Sequence, residues 1–376
     1  MALADADSEA EARLRASFAR GDLATWGYGE SYARRASRPD DLLPGARSVV
    51  CVALAYATPA PARREPLSGR ISNYAWSGDY HREVRRVLDA VARALDAFAQ
   101  APVSAVACDV APLAERAFAA RAGLGWIGKH TNLIAPGLGS YVFLGEVVTT
   151  LELEADPPLA KTCGACRRCV DVCPTGALRG DYTIDARRCI ADLTQRTDGI
   201  PRELRALIGD WVWGCDLCQE ICPPTVRAGT RAGARFAPAE ARDAFPDLIE
   251  LLQLRSTTYR RRYRQRAVGW RGAAVLRRNA AVALGNALDR AAVPALERSL
   301  NEDAHPMVRG HAAWALGRIG SPRARDALAA RLARESDAGV REELACALGA
   351  PALGSAPNER SPREAGNATN GRAGAT

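Results

Sequence analysis

The chain almost lacks lysine: of its 51 basic residues only Lys129 and Lys161 are not arginine. So uniform a choice in an alanine-rich chain has a plain source in GC-rich coding, and arginine abundance alone therefore identifies no partner. Long apolar runs are also missing. None approaches the ~18–20 residues that a membrane-spanning helix needs, so no membrane partner is expected. The opening "MALADADSEAEARLR" has no basic segment leading into an apolar one, which argues against a secretory leader and for a reducing, cytoplasmic setting. Histidine is scarce. His81, His130, His305 and His311 show no metal-pair spacing with an acidic partner, so a histidine metal centre is not expected and each reads as structural or surface.

Cysteine is plentiful. Eleven cysteines in a reducing setting argue for metal or redox chemistry over disulfides. Cys163-x2-Cys166-x2-Cys169-x3-Cys173-Pro174 matches the bacterial iron–sulfur run, whose fourth cysteine serves the neighbouring cluster. Further on stand Cys189, in "DARRCI", and Cys215-x2-Cys218-x3-Cys222-Pro223. Crossing the ligands assigns Cys163, Cys166, Cys169 and Cys222 to a first [4Fe–4S] cluster. Cys173, Cys189, Cys215 and Cys218 then hold a second. Paired structural zinc knuckles are the alternative reading. Cys51, Cys108 and Cys346 lie in apolar runs and read as core residues.

Three regions flank this section. Residues 1–155 read as mixed α/β: "SVVCVALAY" (48–56), "VSAVACDV" (103–110) and "YVFLGEVVTTLEL" (141–153) as strands, 84–98 as an amphipathic helix, and 113–122 as a helix opened by Pro112. "GLGWIG" (123–128) follows a helix and not a strand, so it reads as a tight glycine loop and not a dinucleotide site. From Leu251 to Leu288 nine arginines occur with no acidic residue, interleaved with Tyr259, Tyr263 and Trp270. That pattern suits RNA contact or a solvated basic helix. Leu284, Leu316 and Leu348 then recur at equal spacing in similar helical segments, the mark of a short stacked-hairpin array. The tail 351–376 is polar, without aromatics, and reads as disordered. Asp109 ends a strand ahead of a helix, where either a functional group or a plain helix cap belongs. Lys129 hints at a specific task.

"LLPGARSVV", "ISNYAWSGDYH", "CDVAPLAERAFAARAGLGWIGKHTNL", "FLGE", the eight-cysteine pattern, "YTIDARRCI", "GCDLCQEICP" and "LRRNAAVALGN" occur in that order. Together they resemble the epoxyqueuosine reductases, cobalamin-dependent iron–sulfur enzymes that complete the queuosine modification of tRNA. The resemblance spans about residues 20–350. It implies an α+β architecture with three parts: a nitroreductase-like cobalamin-binding domain (1–155), a ferredoxin-like domain with two [4Fe–4S] clusters (156–228), and HEAT-like repeats (271–350) reached through basic bridging helices (229–270).

The resemblance also implies roles. Asp109, in the family's "DxAP" motif, would be the proton donor, its carboxyl kept protonated by desolvation. Arg38, Asp109, Leu133, Leu144 and Asp216 would contact cobalamin, a cofactor that no motif in the residues themselves announces. Arg260, Arg262, Arg264, Arg277 and Arg278 are the candidate RNA contacts. A low-potential electron donor and a monomeric state are expected. The chain departs from the family at Ala191 and Asp198, and in beginning close to its first helix, which leaves an edge strand unaccounted for. A reductive dehalogenase is the nearest rival enzyme, but those carry a twin-arginine export signal and no helical repeats. An electron-transfer protein on a repeat scaffold is the rival from another class.

Overall fold

The computed structural model describes residues 1–349, Arg64 and Ala232 excepted; the tail expected to be disordered lies outside them. Its described strands are β1 (Ala2–Leu3), β2 (Ser48–Ala55), β3 (Arg70–Ile71), β4 (Ser104–Ala107), β5 (Trp126–Ile127), β6 (Leu133–Ile134), β7 (Val142–Thr149) and β8 (Trp211–Trp213).

The N-terminal sheet runs β1-β2-β7-β4 with all its pairs antiparallel. β1 is the edge strand that the sequence left unaccounted for, cut to two residues against Val49 and Ser48. The helix Tyr80–Ala99 lies on this sheet through Val84 and Leu88, both fully buried. It starts where the Asp79 carboxylate accepts the His81 backbone N–H at 3.1 Å, and it ends at Gln100 in the left-handed region. A side chain at Gly145 of β7 would meet Leu88 Cδ1 at 2.6 Å, so helix and strand touch at backbone distance there. The sheet's other face packs on the helix Glu115–Arg121 through Phe118 and Ala119. That helix begins at Glu115, three residues beyond Pro112, with Ala114 as its cap. Asp109 is therefore not a helix cap.

The "GLGWIG" loop carries β5, the first strand of the β5–β6 hairpin. At Gly123 (φ +70°) a Cβ would meet the Pro157 carbonyl at 2.6 Å, which seats the start of the cysteine section against the α/β part. A second tie is the parallel pair β3–β8, joining Arg70 and Ile71 to Trp211 and Trp213.

The helices Ala273–Ala287, Val293–Glu302, Pro306–Ile319, Pro322–Leu332 and Ala338–Gly349 make two and a half stacked hairpins. The repeat is visible in their contacts. A Cβ at Gly285 would strike Ala315, and one at Gly317 would strike Ala347, so successive helices cross at glycine. The array does not stand alone. One continuous core runs from Ile71 and Trp76 through Leu193, Trp213 and Leu252 to Leu284, Leu316 and Leu344. Cys51 and Cys108 are buried as expected, but Cys346 is exposed on the last helix. Helical periodicity, not the apolar run, decides which face it takes.

Candidate functional site

Eight cysteines gather beside the sheet domain. Burial, then the charges of Cys163, Cys222 and Cys166, push the Cys169 thiol up to about 11. Burial and Cys173 push Cys189 up to about 11. Cys218 is raised by burial, then by Cys189 and Cys215, with Cys169 contributing as well. The thiols that act on one another thus fall into two adjacent groups. Among the described residues, no three histidine, cysteine or acidic side chains converge as a single ion requires. A cubane holds its thiolates further apart than one zinc ion does, and crowded, buried thiols suit metal that takes their protons' place. The Lys129 ammonium donates to the Gly164 carbonyl at 2.8 Å, between Cys163 and Cys166.

Next to the second group lies a recess of about 190 Å³, whose lining includes Tyr80, Asp109, Leu133, Leu144 and Gln219. Gln219 follows Cys218 directly. Asp109, Glu115 and Arg116 also border a broader, more apolar groove of about 800 Å³ lined in part by Leu113, Ile127 and Leu159. Together the two are of the size that encloses large cofactors. The rings of Tyr56, Tyr80 and Phe143 beside Leu133 and Leu144 offer flat surfaces to a macrocycle, and Asn132, Ser140 and Gln219 offer polar groups to its periphery. Of the five expected contacts, three converge here: Asp109, Leu133 and Leu144. Asp216 is buried, accepting from Ser72 Oγ at 2.5 Å and from the Asn73 backbone N–H at 2.7 Å. Arg38 is not among the lining residues; it is exposed and 3.9 Å from Glu11.

Asp109 sits at φ +57°, a left-handed conformation that aspartate tolerates better than most residues. Its carboxylate accepts from the Tyr80 hydroxyl at 2.7 Å and lies 3.2 Å from His81 Nε2. His81 Nδ1 in turn lies 2.6 Å from the Asp79 carboxylate. The hydrogen bond from His81, with that from Tyr80, outweighs burial and holds the Asp109 carboxyl below its usual range. The same bond, against desolvation and aided by Asp79, pushes His81 up to about 9. This corrects two expectations. Desolvation does not keep Asp109 protonated, and His81 is not a bystander: the pair's proton rests on the imidazole.

The RNA-facing arginines also need correction. Arg278 is fully buried and donates to the carbonyls of Leu193, Arg196 and Asp198 and to Asn279 Oδ1. Asn279 adds bonds to the Thr194 and Val212 carbonyls. Together they staple the first repeat helix to the cysteine section, where Arg278 cannot touch RNA. Arg277 is clamped on Asp303 and Arg262 on Asp243. Arg260 and Arg264 remain exposed.

Composition gave no sign of an aromatic row nearby. Tyr32 stacks on Tyr28 (4.2 Å between centroids), with Trp26 and Trp270 following at 6.3 and 6.1 Å. The Arg271 guanidinium lies 3.7 Å from the Trp270 ring centre. The row runs from Tyr32, on the groove beside Asp109, to Arg271 at the first repeat.

Two cluster-sized thiol groups feeding a cleft with an acid–base pair define a multi-centre redox enzyme carrying a helical-repeat module. Family models agree part by part: "4Fe-4S double cluster binding domain" over residues 162–225, "HEAT repeats" over 271–349, and "Epoxyqueuosine reductase QueG, DUF1730" over 36–109. The epoxyqueuosine reductase of Bacillus cereus is 35% identical over 330 residues, covering 85% of this chain and 84% of the relative. That of Escherichia coli is 38% identical over 286 residues, with coverage of 74% and 75%. Among solved structures, an epoxyqueuosine reductase with an epoxyqueuosine-modified tRNA-Tyr stem loop matches with a TM-score of 0.87 at 33% identity, covering 92% of each chain. The Bacillus subtilis enzyme, with its catalytic aspartate loop swung out of the active site, matches at 0.86 and 33%, covering 93% of each. The chain belongs to the epoxyqueuosine reductase family.

Proposed function

We propose that this chain reduces the epoxide of epoxyqueuosine in the tRNA anticodon loop to queuosine. The observation that carries the reading is the recess in which Gln219, adjacent to the Cys218 thiol, and Asp109 line one cavity. It sets a proton-handling pair within the shell of an electron-carrying centre. The sheet part (1–155) acts as a nitroreductase-like cobalamin-binding domain, 156–228 as a ferredoxin-like domain, 229–270 as a bridge and 271–350 as the RNA-facing repeats. Cys163, Cys166, Cys169 and Cys222 hold one cluster, and Cys173, Cys189, Cys215 and Cys218 the other. A low-potential donor feeds them, and the chain works as a monomer.

Cobalamin would be held by Leu133, Leu144 and the Asp109 loop, and would supply low-valent cobalt chemistry. The chain's own residues do the rest. The aromatic row with Arg260, Arg264 and Arg271 holds unpaired bases and phosphates of the loop. As the modified base fills the cleft, Asp109 loses water and its proton affinity rises. The His81 proton then passes to Asp109 Oδ2, from which it reaches the departing epoxide oxygen.

Nucleoside mass spectrometry on tRNA from cells carrying only Asp109→Asn tests this. Epoxyqueuosine should accumulate; normal queuosine would remove Asp109 from the mechanism. The visible spectrum of the reconstituted protein, with and without cobalamin, tests the cofactor separately from the base.

A further inference from the structure

Converting an epoxide to an alkene takes two electrons and two protons and releases one water, so a reductase of the proposed kind needs a second acid. The His81–Asp109 pair accounts for one proton. Glu115 stands beside it, lining both the recess and the groove. It accepts the Asp109 backbone N–H at 2.5 Å through Oε1. Its other oxygen is free of that bond.

Beneath Glu115, in β7, lies Glu146. It is fully buried, and among the described residues neither carboxyl oxygen has a hydrogen-bond partner. Its register partners are Cys51 on β2 and Ala107 on β4, two residues ahead of Asp109. The ionisable groups around it are Glu115, from the helix packed on the sheet, and the buried thiols of Cys51 and Cys108, both influenced by its charge. Glu115 additionally faces Asp109, Arg116 and His81. Among the described residues no cation is placed to neutralise Glu146. A bare carboxylate in such a position costs far more than a neutral acid, so Glu146 keeps its proton. Burial, opposed by the Asp109 N–H and reinforced by the Asp109 charge, sets Glu115 at about 7.

We propose that Glu115 is the second acid of this cleft and that Glu146 is the positioning residue that keeps a proton within its reach. The proposal rests on the epoxide-reducing function above. The balance is simple. The C–O bond opens as electrons arrive, one proton through Asp109 makes the alkoxide a hydroxyl, and the proton of Glu115 lets that hydroxyl leave as water while the double bond forms. Solvent reprotonates both acids.

The test uses the cluster- and cobalamin-loaded protein with an epoxyqueuosine-bearing stem loop. Infrared difference spectra between about pH 5 and about pH 9 should show two carboxylic acids still protonated well above the ordinary glutamate range, one vanishing in Glu115→Gln and the other in Glu146→Gln. E115Q should lose about tenfold or more in single-turnover rate with stem-loop affinity and visible spectrum unchanged. E115D, which keeps an acid, should recover part of it. E146Q should move the alkaline limb of the rate profile to lower pH. Two carboxylates already ionised near neutral pH, or an E115Q profile that overlays the wild type, would overturn the proposal. A wild-type protein that never reduces the stem loop would sink the proposed function instead, and the infrared titration would still judge the carboxyl pair.

Discussion

His81 Nε2 lies 3.2 Å from Asp109 Oδ2, although 28 residues separate them, because the helix Tyr80–Ala99 starts over the end of β4. The contact gives the cleft a charge pair whose proton resides on the imidazole. A histidine raised to about 9 contributes stability and a held proton fully below its unfolded value near 6.5, and loses both as pH rises through about 9. Wild-type turnover, already declining as Glu115 ionises near 7, should therefore show a further fall through about pH 9. In His81→Gln the turnover should be lower throughout and the upper limb should disappear, leaving the one set by Glu115; stopped-flow rates across pH check both.

Arg278 is read as a structural staple. Arg278→Ala would leave three carbonyls unsatisfied in a closed interface, which should cost at least about 2 kcal/mol. Denaturant unfolding should show the loss. Stem-loop affinity of the folded fraction should stay at the wild-type level.

Trp270 and Arg271 should show the reverse. Trp270 is exposed, and Trp270→Ala removes one stacking surface, worth about 1–3 kcal/mol per stacked base. Fluorescence anisotropy should find the stem loop bound at least about fivefold more weakly, with little change in stability.

Cys222→Ser and Cys189→Ser should each remove one cluster and leave the other, so iron content should fall by roughly half in either variant. Loss of all iron in both would show instead that the two groups assemble only together.

Glu335 ties the third and fourth repeat helices, accepting from Arg309 and Arg331 with its side chain 1% exposed. Burial is outweighed by the bonds from Arg309, the Asp337 backbone and Arg331, which hold its carboxyl down at about 2. Its stabilising effect is complete above the unfolded value near 4.5 and fades as pH falls toward about 2. Glu335→Gln should lower the melting temperature at neutral pH and shrink that difference in acid.

The cluster cysteines were legible because ligand spacing is local: a turn of three or four residues is enough to aim neighbouring thiols together. The repeats were legible for a similar reason, since Leu284, Leu316 and Leu348 advertise their own period. His81 was not. Its partner lies across a sheet, and nothing near it in sequence resembles a metal or catalytic pair. Arg278 was misjudged because charge says nothing of facing. Within a single helix Arg277 is clamped on Asp303 and Arg278 is sealed among carbonyls. Glu146 hid in a strand whose alternation gives no warning of an unpartnered acid.

By itself the amino-acid sequence determined the redox class, the two-cluster capacity, the order of parts and the aspartate at the strand end, since each is marked by short motifs. Only the tertiary structure decided who holds the proton, which arginines face outward and which acids lie beneath the Asp109 loop. Those outcomes depend on burial and on contacts between distant segments, and the free energy of a charge is set by its surroundings once the chain has closed around it.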